Sequence, residues 1–149
     1  MNKEFLNVAL FDSNVHHLIV LKKIFQEHRI KIRYTDFSNE EDFAIYLDKS
    51  VSGIPDVVFI NYKDVYNADF RIVRSKISDI KYNAAICIVY ADDLSDSEID
   101  DILIAGANVF LKNNDDYSKL KKFVSEIIMM AWQYQTSGLN KSNFIMKIG

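Results

Sequence analysis

The chain has 149 residues, of which 49% are hydrophobic and 26% charged, with a formal net charge of −3 and one cysteine. This composition predicts one globular domain with a sizeable core, and it excludes a membrane span, a signal peptide and the basic stripe of a nucleic-acid-binding protein. A single cysteine also excludes an internal disulfide, so a reducing, cytoplasmic location is expected.

Short strand-like runs alternate with amphipathic segments of helical length. "FLNVALFD" predicts a first strand, a helix is expected from about residue 14 to residue 28, and "IKIRYTDF" predicts a second strand. A capping box, formed by Ser38 and Glu41, is expected to open the second helix.

The middle of the chain repeats this alternation. "DVVFIN" predicts a third strand and "AAICIVY" a fourth, while Ser95 and Glu98 form a second capping box that opens a fourth helix. The helix between the two strands is predicted from apolar residues at helical spacing: Val73, Ile77 and Ile80.

The last strand and helix complete a regular series. "ANVFL" predicts a fifth strand, and a long helix is expected from about residue 115 to residue 135. Five β-α units in a row predict an α/β fold, in which helices cover both faces of a doubly wound, five-stranded parallel sheet. We expect residues 1–135 to form this domain and residues 136–149 to form a short tail.

Polar side chains follow the predicted strands, at the edge where sheets of this kind place their active sites. These residues are Asp12, Ser13, Asn61, Tyr90 and either Lys112 or Asn113. Their order and spacing resemble the receiver domain of bacterial two-component response regulators. The segments that carry the resemblance are "VALFDSN", "PDVVFINYKD" and "AGANVFLKN", and it covers about residues 5–135.

The resemblance implies a flavodoxin-like sheet with the strand order 2-1-3-4-5 and a role in phosphorelay signalling. By this resemblance, Asp12 and Ser13 stand where the family has its acidic pair, and Asn61 stands where the family has its phosphorylated aspartate. Tyr90 replaces the small hydroxyl residue that hydrogen-bonds the phosphoryl group, and Phe110 is the switch aromatic.

The family's lysine has two candidate positions. Aligned without a gap from Gly106, it falls on Asn113, whereas Lys112 lies one residue earlier and would point to the opposite face of the strand. A local bulge could restore Lys112. We favour Asn113 as the occupant and Lys112 as a solvent-facing residue.

These substitutions predict that the phosphorylation chemistry has been lost. One carboxylate remains of the three that hold a divalent metal in the family, and the amide of Asn61 cannot attack phosphorus. We therefore expect no enzyme activity, no cofactor, and no metal unless Asp12 keeps a weak Mg²⁺ site. The chain is interpreted as a degenerate receiver, or pseudo-receiver, that acts through protein–protein contact with a histidine kinase or a downstream signalling protein.

Two alternatives remain. A displaced carboxylate could accept the phosphoryl group, although Asp56 begins the third strand at its wrong end and Asp64 lies three residues past Asn61. A flavin-binding, flavodoxin-like protein is less favoured, because "DSNVHH" offers no glycine for a phosphate loop after the first strand.

Several side chains near these strand ends have more than one interpretation. Lys63 could reach Asp12 and replace the missing cation, or it could be an exposed loop lysine. Tyr90 could pack against Phe110, and His16 and His17 are expected to be surface or packing residues.

The long last helix predicts a partner or homodimer surface. Met129 falls opposite its apolar stripe, with Ile128 and Trp132 on the flank, and Ile104 of the fourth helix extends this patch. Exposed methionine and tryptophan are typical of interfaces. The alternative is that the tail folds back and covers the patch within one chain.

Overall fold

The structure is a computed structural model that describes residues 3–49, 55–67, 85–138 and 145–149. Its strands form one parallel, six-stranded sheet with the order β2-β1-β3-β4-β5-β6. They are β1 (Leu6–Phe11), β2 (Ile32–Phe37), β3 (Val57–Asn61), β4 (Ile86–Ala91), β5 (Val109–Lys112) and β6 (Met146–Ile148).

Helices follow the first five strands, as the alternating pattern predicts. They are α1 (Val15–Glu27), α2 (Glu40–Lys49), α3 (Tyr62–Asn67), α4 (Asp96–Ile104) and α5 (Tyr117–Ser137). The predicted helix around Val73, Ile77 and Ile80 lies outside the described residues. No helix in the described ranges is long and apolar enough to cross a bilayer.

Two hydrophobic cores lie on opposite faces of the sheet, which confirms the predicted α/β architecture. One core joins α1 and α5 to strand residues such as Leu10 and Leu111. The other joins Phe11 to Phe43 of α2 and Ile102 of α4. Because successive side chains in a strand point to opposite faces, each of the strands β1 to β5 contributes to both cores.

The central strands bring their polar ends to one edge of the sheet. Every residue of β3 and β4 is buried. Strands that are covered on both faces have continuous apolar sequences, as these two do. The register pairs Phe11 with Ile60 and Asn61 with Tyr90. Asp12, which follows Phe11, therefore comes to the same edge as Asn61 and Tyr90.

The sheet has six strands, so the predicted five-stranded sheet is wrong by one. Within the expected tail, Met146 pairs with Val109 and Ile148 pairs with Leu111. A strand of three residues is too short to produce a periodic pattern in the sequence. It forms because β5 would otherwise be an edge strand with unpaired backbone groups, and β6 satisfies them.

One of the two predicted capping boxes is present. Ser95 and Glu98 form the reciprocal hydrogen bonds of a capping box at the start of α4. The box expected at Ser38 is wrong, because Asn39 Oδ1 accepts the hydrogen bond from the backbone N–H of Asp42 at 2.8 Å. Asparagine caps a helix as well as serine does, and here it stands one residue closer to the helix.

His28 joins the end of α1 to α5. Its Nε2 lies 3.0 Å from Ser125 Oγ, and its Nδ1 accepts a hydrogen bond from the backbone N–H of Ile30 at 3.1 Å. A ring nitrogen that accepts an N–H carries no proton, so this geometry requires the neutral imidazole. Burial lowers the pKa of His28 from its ordinary value, which favours the same neutral form.

We expect acidification to weaken the fold through His28. Because the folded-state pKa is lowered, the neutral ring stabilises the fold above the ordinary value of 6.5, and this contribution is lost as the pH falls through the lowered value. Denaturant titrations between about pH 8 and about pH 5 measure the loss. A His28→Gln variant should lose less stability over that range. Equal losses in both proteins would contradict this role for His28.

Candidate functional site

A buried carboxylate lies at the centre of the polar edge. Asp12 is 0% exposed, and its Oδ2 lies 2.7 Å from both Tyr90 OH and His17 Nδ1. Its Oδ1 accepts a hydrogen bond from the backbone N–H of Asn14 at 2.8 Å. Both oxygens of Asp12 are therefore already engaged by groups of the protein.

His17 belongs to this site: its ring packs edge-on against Tyr90, with the centroids 6.4 Å apart, and it also hydrogen-bonds Asp12, which the sequence analysis did not predict. His16 is exposed, as expected. His17 lies in the first turn of α1, where Asn14 caps the helix and accepts from the backbone N–H groups of His16 and His17. That turn places the imidazole over the ends of β1 and β3. The sequence signal was available, since a buried acid at a strand end needs donors and a histidine follows in the first turn of the next helix.

Asn61 completes the cluster but makes a weaker contact. It is almost fully buried, and its Nδ2 lies 3.3 Å from His17 Nδ1. The same ring nitrogen lies closer to Asp12, and a carboxylate forms the stronger hydrogen bond with an N–H. We therefore assign the Nδ1 proton to the bond with Asp12. Asn61 Oδ1 accepts from the backbone N–H of Lys63 at 3.0 Å.

Tyr90 hydrogen-bonds Asp12 and does not pack against Phe110. Its ring belongs to the core on the α1 and α5 face, whereas Phe110 belongs to the core on the opposite face. Burial, the charge of Asp12 and the hydrogen bond to it, together with the charge of Asp64, raise the pKa of Tyr90 well above its ordinary value. The phenol therefore remains protonated and remains a donor.

A second carboxylate reaches the edge from α3. The side chain of Asp64 accepts hydrogen bonds from the Ser13 backbone N–H at 2.8 Å and from Ser13 Oγ at 2.5 Å. Asp64 comes so close because α3 begins directly after β3, so its first turn folds over the strand ends. Asp56 lies at the opposite edge, where it pairs with Lys3 at 2.9 Å and accepts from the backbone N–H of Asn7.

Lys63 does not replace the missing cation. Its side chain is exposed, and among the described residues it forms no ion pair with Asp12. The carboxylate of Asp12 is satisfied by His17 and Tyr90, which reach it from the helix and from the sheet. Lys63 is exposed, as the alternative interpretation expected, but it lies in the first turn of α3 and not in a loop.

The structure places Asn113, and not Lys112, on the face that carries Tyr90. Leu111 lies in the same core as Tyr90, and alternation along the chain brings Asn113 to that side. Asn113 Nδ2 donates to Asp92 at 3.2 Å, and Lys112 Nζ pairs with Asp93 at 3.2 Å. The ammonium of Lys112 is thus held at the exposed rim of the opposite face.

The predicted partner patch on α5 is not a continuous exposed surface. Ile128 is 0% exposed and is part of the core, because the apolar stripe of α5 is wider than its spacing alone suggested. Trp132 is half-buried against the same core, and Met129 lies 3.4 Å from the guanidinium of Arg29. Ile104 on α4 is different, since 79% of it is exposed.

The chemistry available at the edge is that of hydrogen bonding. In the described part of the chain, no three histidine, cysteine or acidic side chains come close enough to share a metal ion. Cys87 is buried in β4, and burial raises its pKa to about 12, so the thiol is protonated and inert.

Comparison with known proteins identifies the fold. No family model and no curated protein matches the sequence. Among solved structures, the phosphorylated cyanobacterial phytochrome response regulator RcpA has a TM-score of 0.67 at 13% identity, and the match covers 91% of this chain and 96% of that chain. A response regulator in red light signaling of R. palustris has a TM-score of 0.71 at 13% identity, with coverage of 91% and 96%.

A third match comes from a eukaryote. The receiver domain of a Saccharomyces cerevisiae response regulator, co-crystallised with a histidine phosphotransfer signaling protein, has a TM-score of 0.64 at 17% identity, and the match covers 88% of this chain and 94% of that chain. The chain therefore has the fold of response-regulator receiver domains, as the order of its motifs predicts.

We expect Tyr90→Phe to lower the free energy of unfolding by about 1.5–3 kcal/mol, because it removes a hydrogen bond to a buried charge. Urea denaturation measures the change. Tyr117→Phe is the matched control, since Tyr117 OH donates to the exposed carboxylate of Glu27 at 2.6 Å, where water can replace it. Equal losses in the two variants would mean that Asp12 does not depend on Tyr90.

Proposed function

We propose that this chain is a receiver-like signalling module that acts through protein–protein contact, without phosphorylation of an aspartate and without enzyme activity. The observation that carries the proposal is that both oxygens of Asp12 are hydrogen-bonded by groups of the protein. By the family resemblance, Asp12 lies at the edge where receivers bind metal and phosphoryl groups. The chain has the receiver fold, and at that edge the side chains of His17 and Tyr90 hydrogen-bond Asp12.

The residues of the edge are poorly suited to phosphoryl transfer. Asn61 presents an amide whose lone pair is delocalised, and such a group does not attack phosphorus. Tyr90 occupies the side of the edge where the family resemblance places a small hydroxyl residue. Asn113 supplies no positive charge there, because its side chain is a neutral amide. The nearby ammonium of Lys112 is paired with Asp93.

A divalent cation also fits poorly. Mg²⁺ requires near-octahedral oxygen coordination and is held most strongly by carboxylates. Asp12 already accepts three hydrogen bonds, and Ser13 and Asn61 offer a hydroxyl and an amide where the family has acids. Binding a metal would require breaking the contacts that Asp12 makes with His17 and Tyr90.

The second candidate function is phosphorylation of Asp64. It is favoured by one observation, the approach of this carboxylate to Ser13 at the correct edge of the sheet. Each oxygen of Asp64 nonetheless accepts a hydrogen bond from Ser13, and no cation lies beside it in the described contacts. Asp56 is a weaker candidate, because it lies at the opposite edge.

The proposed partner is another signalling protein. One of the matching receivers was crystallised with a histidine phosphotransfer protein, which is a precedent for this class of partner. In the present chain, α4 offers the exposed side chain of Ile104, whereas Ile128 is unavailable. We therefore centre the proposed contact surface on α4. Its partner would be a histidine kinase, a downstream protein or a second copy of the chain.

We expect acetyl phosphate or beryllofluoride with Mg²⁺ to leave the protein unchanged, because Asn61 is not a nucleophile and Asp12 is not free. Intact mass spectrometry detects a phosphoryl adduct, and amide NMR spectra detect beryllofluoride. A phosphorylation-competent receiver domain, treated in parallel, shows that the donor is active.

Variants separate the candidate acceptors. Asn61→Asp alone is expected to remain unmodified, since Ser13, Tyr90 and Asn113 are unchanged. A stable adduct on the wild-type chain would overturn the proposal. If that adduct disappeared in Asp64→Asn and persisted in the matched control Asp56→Asn, phosphorylation of Asp64 would be the function.

A further inference from the structure

A cleft lies between α1 and α5, next to the site of Asp12. It has a volume of about 210 Å³. Its walls come from α1, the ends of β4 and β5, and the start of α5. The lining residues are His17, Val20, Leu21, Tyr90, Asp92, Leu111, Asn113, Asn114, Asp115, Tyr117 and Leu120.

The inner part of the cleft is apolar. Leu21 and Leu111 are buried core residues, and Val20, Tyr117 and Leu120 pack against the same core. Val20, Tyr117 and Leu120 are only partly buried, so covering them with a hydrocarbon or aromatic body removes apolar surface from water and is favourable. An apolar cavity of about 150 Å³ is known to hold benzene, so this cleft is large enough for a single-ring compound.

The outer part of the cleft carries negative charge. The exposed carboxylates of Asp92 and Asp115 and the amides of Asn113 and Asn114 form its rim, and no lysine or arginine lines it. Asn113 donates to Asp92, while Asp115 makes no hydrogen bond or ion pair within the described ranges. This rim repels anions, including phosphate, and attracts cations.

One cation lies close by without entering the cleft. Lys23 Nζ lies 4.8 Å from the centre of the Tyr117 ring, and the hydroxyl of that tyrosine donates to Glu27. Lys23 is not a lining residue of the cleft. It does show that the ring of Tyr117 accepts a cation on its face.

We propose that this cleft binds a small organic cation, an amine or amidine attached to an apolar body about the size of one aromatic ring. The ring lies against the partly buried side chains of Val20, Tyr117 and Leu120, and the cationic group faces Asp92 and Asp115. Two residues of the wall, His17 and Tyr90, also hold Asp12. The cleft therefore places a ligand in contact with the two side chains that hydrogen-bond Asp12.

Benzamidine, benzamide and benzoate are suitable probes, because they share size and shape and differ in charge. Each is titrated into the ¹⁵N-labelled full chain and followed by amide NMR spectra. Benzamidine is expected to bind saturably and to shift amides of α1 and of the segment that joins β5 to α5. Benzamide should bind more weakly, and benzoate should not bind.

Charge-neutral variants test the rim. The double substitution Asp92→Asn and Asp115→Asn should weaken benzamidine binding by roughly fivefold or more, as expected for the removal of two partly exposed charges. Asp93→Asn is the matched control, because Asp93 is an exposed neighbour that pairs with Lys112 and does not line the cleft. Its affinity for benzamidine should equal that of the wild type.

Several outcomes would overturn the proposal. They are the absence of saturable benzamidine shifts, shifts confined to another surface, benzoate binding as well as benzamidine, or a double variant with unchanged affinity. If the double variant fails to fold, the salt dependence of wild-type binding replaces it, since added salt weakens attraction to exposed carboxylates and leaves apolar contact intact. Affinity that is independent of salt would then reject the proposal.

Discussion

A fully buried carboxylate is the constraint on which the edge of this sheet depends. An ionised group out of water costs many kilocalories per mole unless hydrogen bonds or an opposite charge compensate for it. In receiver domains, by the resemblance described above, a divalent cation supplies that compensation. In this chain the compensation comes from Tyr90, His17 and the backbone of Asn14, all of which donate to Asp12.

This replacement has consequences for the rest of the site. A tyrosine long enough to reach Asp12 from β4 fills the space beside Asn61, and a histidine that reaches it from α1 covers the end of β3. Because the pKa of Tyr90 is raised well above its ordinary value, the phenol keeps its proton across the physiological range and can donate it to Asp12. Both oxygens of Asp12 are thus hydrogen-bonded by groups of the protein within the receiver fold.

The sequence predicted most of the sheet, because buried parallel strands leave continuous apolar runs that end at recognisable polar residues. Asp12, Asn61 and Tyr90 could be placed together for the same reason, since parallel strands end at a common edge. The contacts that the sequence analysis missed depend on distances between elements, which the periodicity of apolar residues does not encode. His17 reaches Asp12 from the first turn of α1, and Asp64 reaches Ser13 because α3 starts directly after β3.

The remaining discrepancies also have local causes. β6 is a three-residue strand that exists because β5 offers an open edge, so its own sequence carries little signal. The spacing of apolar residues places Ile128 on the flank of α5, but the structure buries it completely. A helix that packs on a sheet buries a wider part of its circumference than its central apolar stripe. Both errors concern tertiary packing, which the local sequence pattern does not encode.

A switch requires a second state that a signal can favour, and the contacts of Asp12 define where such a state could arise. The bond from Tyr90 lies in the core and does not titrate in the ordinary range. The side chain of His17 is 38% exposed and lines the cleft between α1 and α5, so it is the more accessible of the two side-chain partners. Any displacement of the His17 ring would leave the buried carboxylate of Asp12 with one donor fewer. Asp12, Asn61 and Tyr90 stand at the ends of β1, β3 and β4, so the cost of that loss would act on the three strand ends together.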